Sequence, residues 1–164
     1  MPTDALIAAA SKVLDSAKAA GLKIATAESC TGGLIAASLT AVPGSSAVFE
    51  RGFVTYSNEA KIEMLGVSAQ TLQKFGAVST QTALEMAEGA LRASRANLAV
   101  AVTGVAGPDG GSPEKPVGLV HLAVARLGGG ARAKERRFAA QGRLAIQRET
   151  VLAALALLAQ ETDA

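Results

Sequence analysis

Four stretches of this 164-residue chain carry side chains whose types and spacing could do chemistry. The first is Ala27-Glu28-Ser29-Cys30-Thr31-Gly32-Gly33. Small hydroxyl residues and glycines between a strand and a helix aim several backbone N–H groups at one spot, which suits an anion or the oxygen of a tetrahedral intermediate. The glycines let a ligand come close to the backbone. Ser and Thr also favour helix caps, so the stretch reads equally well as a capped turn. It is not a phosphate-binding P-loop, because no Gly-Lys-Ser/Thr follows. The second stretch is Thr55-Tyr56-Ser57-Asn58 with Lys61, where Tyr56 is the only tyrosine. A lysine that serves a serine as base must be desolvated or lie near another cation. With an ordinary pKa of about 10.4, only about 0.1% of it would be neutral near neutral pH. An exposed lysine beside an amphipathic tyrosine is the plainer reading.

The third stretch runs from Thr103-Gly104-Val105-Ala106-Gly107-Pro108 to Lys115-Pro116-Val117-Gly118, and residues 104–116 hold four glycines and three prolines. So long a connection in a compact domain is commonly functional, although a flexible surface loop has the same composition. The fourth is Gln141-Gly142-Arg143 at the start of the last predicted helix, with Arg148 beyond it. An arginine there opposes the helix dipole, a cost that makes sense if the guanidinium grips a phosphate. A solvated surface arginine fits the spacing equally well. Cys30 could be a nucleophile at a helix N-terminus, but its one possible partner, His121, falls in mid-strand between Val120 and Leu122. If Ser29 acts, a lysine is the better candidate for its base. The basic cluster from Arg132 to Arg137 reads as the solvated side of an edge strand.

The elements that position these stretches follow from periodicity. Leu6, Ile7, Ala10, Val13, Leu14 and Ala17 recur at helical steps over residues 4–20, with Thr3 or Asp4 as cap and Gly21 as stop. Strands are predicted at 23–28, 47–56, 97–103, 117–126 and 132–138, the last two joined by Gly128-Gly129-Gly130. Residues 97–103 form the continuous apolar run of a strand covered on both faces. Helices are predicted at 34–40, from Asn58 (as cap) to Leu65, at 68–75, from Ser79 (as cap) to Ser94, and at 143–160. The alternation predicts an α/β fold, a three-layer α/β/α sandwich whose mixed sheet includes a C-terminal antiparallel hairpin. Ligands of such sheets bind outside the carboxyl ends of the strands. The ends at Glu28, Tyr56 and Thr103 all open into polar, small-residue loops, so a shared pocket is expected.

Composition narrows the partners. The chain is 49% apolar and carries 16 basic against 14 acidic residues, so it is neither disordered nor strongly basic. Aromatics are 3% of residues and there is no Trp, which leaves no platform for stacking bases. No nucleic-acid partner is expected. One Cys and one His do not make a zinc site or an internal disulfide, so no metal, no cofactor and a cytoplasmic location are expected. No apolar run reaches the roughly 20 residues of a membrane span, and no signal peptide precedes the first helix. Val151, Leu152, Leu155, Leu157 and Leu158 make the last helix apolar on more than one side, which predicts a homo-oligomer, a dimer on base rates.

Taken together and in this order, the first three stretches (the second from Gly52-Phe53-Val54) and Arg143 resemble the C-terminal domain of the competence/damage-inducible protein CinA. That domain also occurs alone as nicotinamide-nucleotide amidase, and the similarity runs from about Leu6 to Leu158. The resemblance implies a single standalone domain over residues 1–164 that hydrolyses the carboxamide of nicotinamide mononucleotide to nicotinate mononucleotide and ammonia. It also implies Ser29 as nucleophile and Lys61 as base, with Tyr56, Thr103 and Glu28 in the same site and Arg143 on the substrate. On this basis the catalytic set is Ser29, Lys61, Tyr56 and Thr103. Substrate binding falls to Glu28, Cys30, Thr31, Gly32, Gly104, Ala106, Gly107 and Arg143, with N–H groups around Cys30 to Gly32 facing the oxyanion. The partner is then a small nicotinamide nucleotide. The family reads Gly-Asp-Arg before its last helix and has a further arginine four residues on. This chain has Gln141-Gly142-Arg143, then Gln147 with Arg148 beside it. That departure motivates an alternative, a non-catalytic nucleotide-binding or protein-interaction module linked to competence or DNA damage.

Overall fold

The computed structural model describes residues 1–163. Its sheet has five strands: β1 (Ile24–Glu28), β2 (Phe49–Val54), β3 (Leu98–Gly104), β4 (Leu119–Arg126) and β5 (Gly130–Arg137). They lie in the order β2-β1-β3-β4-β5. β1 is parallel to both neighbours, while β4 and β5 run antiparallel, which is the mixed sheet and terminal hairpin expected from the sequence. The helices are α1 (Asp4–Ala19), α2 (Leu34–Thr40), α3 (Asn58–Leu65), α4 (Ala69–Phe75), α5 (Thr80–Arg92) and α6 (Arg143–Thr162). No helix is long and apolar enough to cross a membrane.

Strict alternation along the strands gives the sheet two unlike faces. One presents Ile24, Leu98, Val100, Val102, Val120, Leu122 and Val124 to α1, α2 and α6. The other presents Ala25, Ala27, Ala99, Ala101, Ala123 and Ala125 to Ala83, Met86, Ala87 and Ala90 of α5. Alanine facing alanine brings α5 close to the sheet, and α3 in turn lies close against α5. A Cβ added at Gly89 of α5 would stand 1.9 Å from the carbonyl oxygen of Leu65 in α3. The site described below hangs from α3, so this thin layer fixes its height above the strands.

Local signals place most boundaries. The Thr3 hydroxyl caps α1 by accepting from Leu6 N at 3.4 Å. The cap of α3 is Ser57, accepting from Ala60 N at 3.0 Å, and Asn58 is the first helical residue instead. β2 starts at Phe49, after a short turn over Ser45–Ala47, and stops at Val54, so Tyr56 lies beyond the strand. The basic cluster of β5 is a solvated edge, where Arg132 Nε donates to Glu161 Oε1 at 2.8 Å.

Of the five residues that make α6 apolar, Val151, Leu155, Leu157 and Leu158 are buried within the chain, packed with α1 and the sheet, and Leu152 is partly buried against them. A helix that is apolar on several sides is equally what a helix looks like when its own domain covers it. Leu144, at the start of the helix, is 65% exposed.

Gly89→Ala tests the close layer. Overpacking of this kind costs about 1–3 kcal/mol, and here the obstacle is backbone rather than a flexible side chain. Thermal unfolding should shift down by about 2–4 °C per kcal/mol. A variant as stable as the parent would show that α3 and α5 part without cost.

Candidate active site

Three parallel strand ends converge here. β1 leaves the sheet at Ser29, whose N–H donates to the Val102 carbonyl at 3.1 Å. The chain then turns through Gly32 and Gly33, both at positive φ, which side chains rarely adopt. The Thr55 N–H donates to the Glu28 carbonyl at 2.9 Å and lays the chain after β2 alongside the turn. Ser57 then starts α3, and Lys61 lies one turn in, with its N–H donating to the Ser57 carbonyl at 3.2 Å. Its side chain is 1% exposed. Residues 32 positions apart in sequence thus meet, with Lys61 Nζ 3.0 Å from Ser29 Oγ.

The other partners of Lys61 are two backbone carbonyls, those of Thr55 at 3.0 Å and Tyr56 at 3.3 Å. Carbonyl oxygens only accept, so both require N–H groups of the lysine. A neutral amine has two N–H groups and one lone pair. An ammonium would donate to all three oxygens, the Ser29 hydroxyl included, whereas in the neutral amine the carbonyls take both N–H groups and the lone pair faces the Ser29 hydroxyl. None of the ion pairs among the described residues involves Lys61. Burial lowers its pKa below the ordinary lysine value, opposed in part by Cys30.

Around this pair is a cavity of about 200 Å³. Ser29, Cys30, Tyr56, Lys61, Thr103, Gly104, Ala106 and Arg143 line it, all of them singled out from sequence. Ala77 and Val78, from the link between α4 and α5, complete the wall and were not anticipated. They are bland apolar residues with no local motif, and their clue is tertiary, the Thr103 hydroxyl donating to the Ala77 carbonyl at 2.8 Å. At the rim, Arg143 donates to the Gly107 carbonyl at 2.7 Å and to the Tyr56 hydroxyl at 3.0 Å. Tyr56 is 62% exposed, so its ring belongs to the mouth, and the contact it makes with Lys61 is through its backbone carbonyl.

Four predicted binding residues, Glu28, Thr31, Gly32 and Gly107, are not in the cavity wall, and Gly107 meets it only through its carbonyl on Arg143. Glu28 is 1% exposed and is not in the cavity wall. Its carboxylate accepts from the Thr31 hydroxyl at 2.6 Å and from the N–H groups of Ile35 at 2.8 Å and Ala36 at 3.0 Å. Burial pushes its pKa up, and these hydrogen bonds pull it back. Glu28 therefore clamps the start of α2 against the serine turn. Thr31 and Gly32 line a separate, open groove of about 390 Å³, together with Leu144, Gln147 and Arg148. Gln147 ties α6 to the turn, its Nε2 donating to the Cys30 carbonyl at 3.0 Å.

Cys30 and His121 are not equipped to react. Burial pushes the Cys30 thiol up to about 12, so it stays protonated. His121 lies outside the cavity, with Nδ1 3.2 Å from the Thr80 hydroxyl and Nε2 4.0 Å from Glu135, and burial lowers its pKa. No three His, Cys, Asp or Glu side chains among the described residues come together as a metal site would require.

A family model, the CinA C-terminal domain, matches residues 7–162. The chain belongs to that family. It is similar to the nicotinamide-nucleotide amidohydrolase PncC of Escherichia coli strain K12, 52% identical over 144 residues that cover 88% of this chain and 87% of that protein. It is also similar to a putative competence-damage inducible protein of Acetivibrio thermocellus, 64% identical over 104 residues. There the match covers 63% of this chain, which spans about 25% of that longer relative. Among solved structures, the competence/damage inducible protein CihA from Agrobacterium tumefaciens superposes with a TM-score of 0.94 at 54% identity, covering 100% of this chain and 98% of that one. The three-layer fold with its mixed five-stranded sheet is thus the fold of the CinA superfamily.

The Glu28 clamp generates a prediction. In Glu28→Gln one acceptor becomes an NH2 that must face a donor, stranding a buried group at a cost of about 1–3 kcal/mol. Denaturant unfolding should register that loss, and KM for substrate should stay near the parental value because the side chain does not reach the cavity. A large KM change at unaltered stability would instead place the carboxylate on the substrate.

Proposed function

We propose that this chain hydrolyses the carboxamide of nicotinamide mononucleotide, releasing nicotinate mononucleotide and ammonia. The observation that carries the reading is Lys61 Nζ at 3.0 Å from Ser29 Oγ, with its other two positions filled by carbonyls. An amide carbonyl is a poor electrophile, so it needs an activated nucleophile and a proton for the departing amine. Ser29 Oγ attacks the carboxamide carbon and its proton passes to Lys61 Nζ. The tetrahedral adduct collapses as Lys61 returns that proton to the leaving ammonia, and an ester to Ser29 remains. Water then attacks the ester with Lys61 again as base, and Ser29 leaves protonated. The PncC relative, named for this class of reaction, supports the same reading.

The cavity is smaller than the roughly 300–1,000 Å³ of pockets that enclose drug-sized ligands, so it houses the reacting end of the substrate only. The sugar and phosphate extend past the rim. Arg143 stands there with Tyr56 and offers a guanidinium to the phosphate. The alcohol-amine pair needs no metal.

Ser29→Ala should fold and release almost no ammonia. Lys61→Met, which keeps the length of the buried stem, should lose about 10²–10⁴-fold in kcat, the range for a positioned acid-base group. The base works as the free amine, so kcat/KM should rise with pH through the lysine pKa. Burial lowers that pKa, so the midpoint should fall below the ordinary value of about 10.4. A pH-independent rate would remove Lys61 as base. Arg143→Ala should raise KM about 10- to 100-fold, as expected for a charge-assisted bond worth about 1.5–3 kcal/mol, with less effect on kcat. Calorimetric binding of the mononucleotide without turnover would favour the non-catalytic module over the enzyme.

A further inference from the structure

The reaction proposed above puts a negative charge on the carboxamide oxygen, and the wall of the cavity must answer it. Most N–H groups of the turn that follows Ser29 are already engaged. The Gly32 N–H is spent on the Ser29 carbonyl at 3.1 Å, the Leu34 N–H on the Thr31 carbonyl at 3.0 Å, and those of Ile35 and Ala36 on Glu28. Among the described residues the N–H groups of Cys30 and Thr31 carry no such bond. A further donor comes from the neighbouring strand.

Along β3 the backbone groups alternate between β4 and β1. The Val105 N–H donates to the Leu119 carbonyl at 2.9 Å, so residues 103 and 105 face β4, with Thr103 opposite His121. Residues 102 and 104 therefore face β1, and the Ser29 N–H bonding to the Val102 carbonyl agrees with this. Continued by one step, the parallel ladder would send the Gly104 N–H to the Ser29 carbonyl. The chain turns at that point, and that carbonyl is taken by Gly32. The β1–β3 pairing ends at Glu28 and Val102, and no bond among the described residues joins the Gly104 N–H to the Ser29 carbonyl or to a loop residue. That N–H sits in the fork between β1 and β3, in the same cavity wall as Ser29. On its other side the residue has no room for a side chain, since a Cβ would stand 2.7 Å from Val120 Cγ2 and 2.8 Å from the Leu119 carbonyl oxygen.

We propose that the backbone N–H of Gly104 is an oxyanion donor of this site, which deepens the amidase reading and rests on it. As the bond from Ser29 Oγ to the carboxamide carbon forms, the carbonyl π pair moves onto oxygen and the serine proton moves to Lys61. The Gly104 N–H bonds to the oxygen that gains the charge. A donor fixed by a strand costs no reorganisation when the charge appears, and losing one such donor typically slows an enzyme about 10²–10³-fold.

The test deletes the N–H without adding a Cβ, by semisynthesis of the full chain with glycolic acid at position 104, so that an ester replaces the amide. The expected result is a 10²–10³-fold fall in kcat at little-changed KM, with only the small loss of melting temperature that a weaker Thr103 carbonyl brings, because the lost N–H bonds to nothing in the resting protein. The ester at Val105, whose N–H is bonded to Leu119, should do the reverse and lose stability while keeping kcat. An aldehyde analogue of the substrate, which captures Ser29 as a tetrahedral adduct, should bind more weakly to the Gly104 ester by a similar factor. Parental kcat in the Gly104 ester, measured beside an unmodified chain that releases ammonia, would overturn the assignment. No ammonia from the unmodified chain would overturn the amidase reading itself, and the assignment with it.

Discussion

Everything in this molecule turns on a lysine held in the interior without an acid. Lys61 is 1% exposed and meets one hydroxyl and two carbonyls. Burying an ammonium group is costly, and a protein either pairs such a group with a counter-charge or lets it lose its proton. The second outcome is useful chemistry, because a free amine next to an alcohol can remove its proton. The two carbonyls belong to Thr55 and Tyr56, residues placed by the end of β2 and by the hydrogen bond from Thr55 to Glu28. The amine is therefore aimed by main chain rather than by a third side chain. That differs from a serine triad, where a carboxylate orients the base.

Much of this was legible from residue types. Ser29 and Thr103 stand out because strand ends that open into glycines and hydroxyl residues have few structural reasons to do so, Lys61 by its place just beyond Tyr56, and Arg143 because it opposes a helix dipole, and all four line one cavity. Glu28 shows where local reading stops. An acid beside a candidate nucleophile suggests an active-site role, but the alternation of β1 carries its side chain to the start of α2, where Thr31, Ile35 and Ala36 absorb it. The spent N–H groups of the serine turn have the same origin. Whether a backbone donor is free depends on what the neighbouring strand does, and no local pattern encodes that. Ala77 and Val78 escaped notice because nothing in two small apolar residues marks them as wall rather than core.

The last helix carries a related lesson. Val151, Leu155, Leu157 and Leu158 could describe an interface between chains or a helix enclosed by its own, since area removed from water is favourable either way. α1 and the sheet cover these residues. At its beginning α6 offers outward Leu144 beside polar groups, Arg143 bridging the glycine-rich loop and Tyr56 while Gln147 holds the serine turn. Gln147 is thus a neutral tether at that position.

The alanine face of the sheet reaches further than its size suggests. α5 rests on a spacer one methyl group thick, and α3, which carries the amine, leans on α5 through Gly89. The spacer works as a shim beneath a lever. A thicker one lifts α3 and opens the gap between amine and alcohol, though the change sits on a surface that no ligand touches. The reach of Lys61 toward Ser29 thus depends on steric thickness at Ala25, Ala27, Ala99 and Ala101, plain positions outside the polar contacts of the pair.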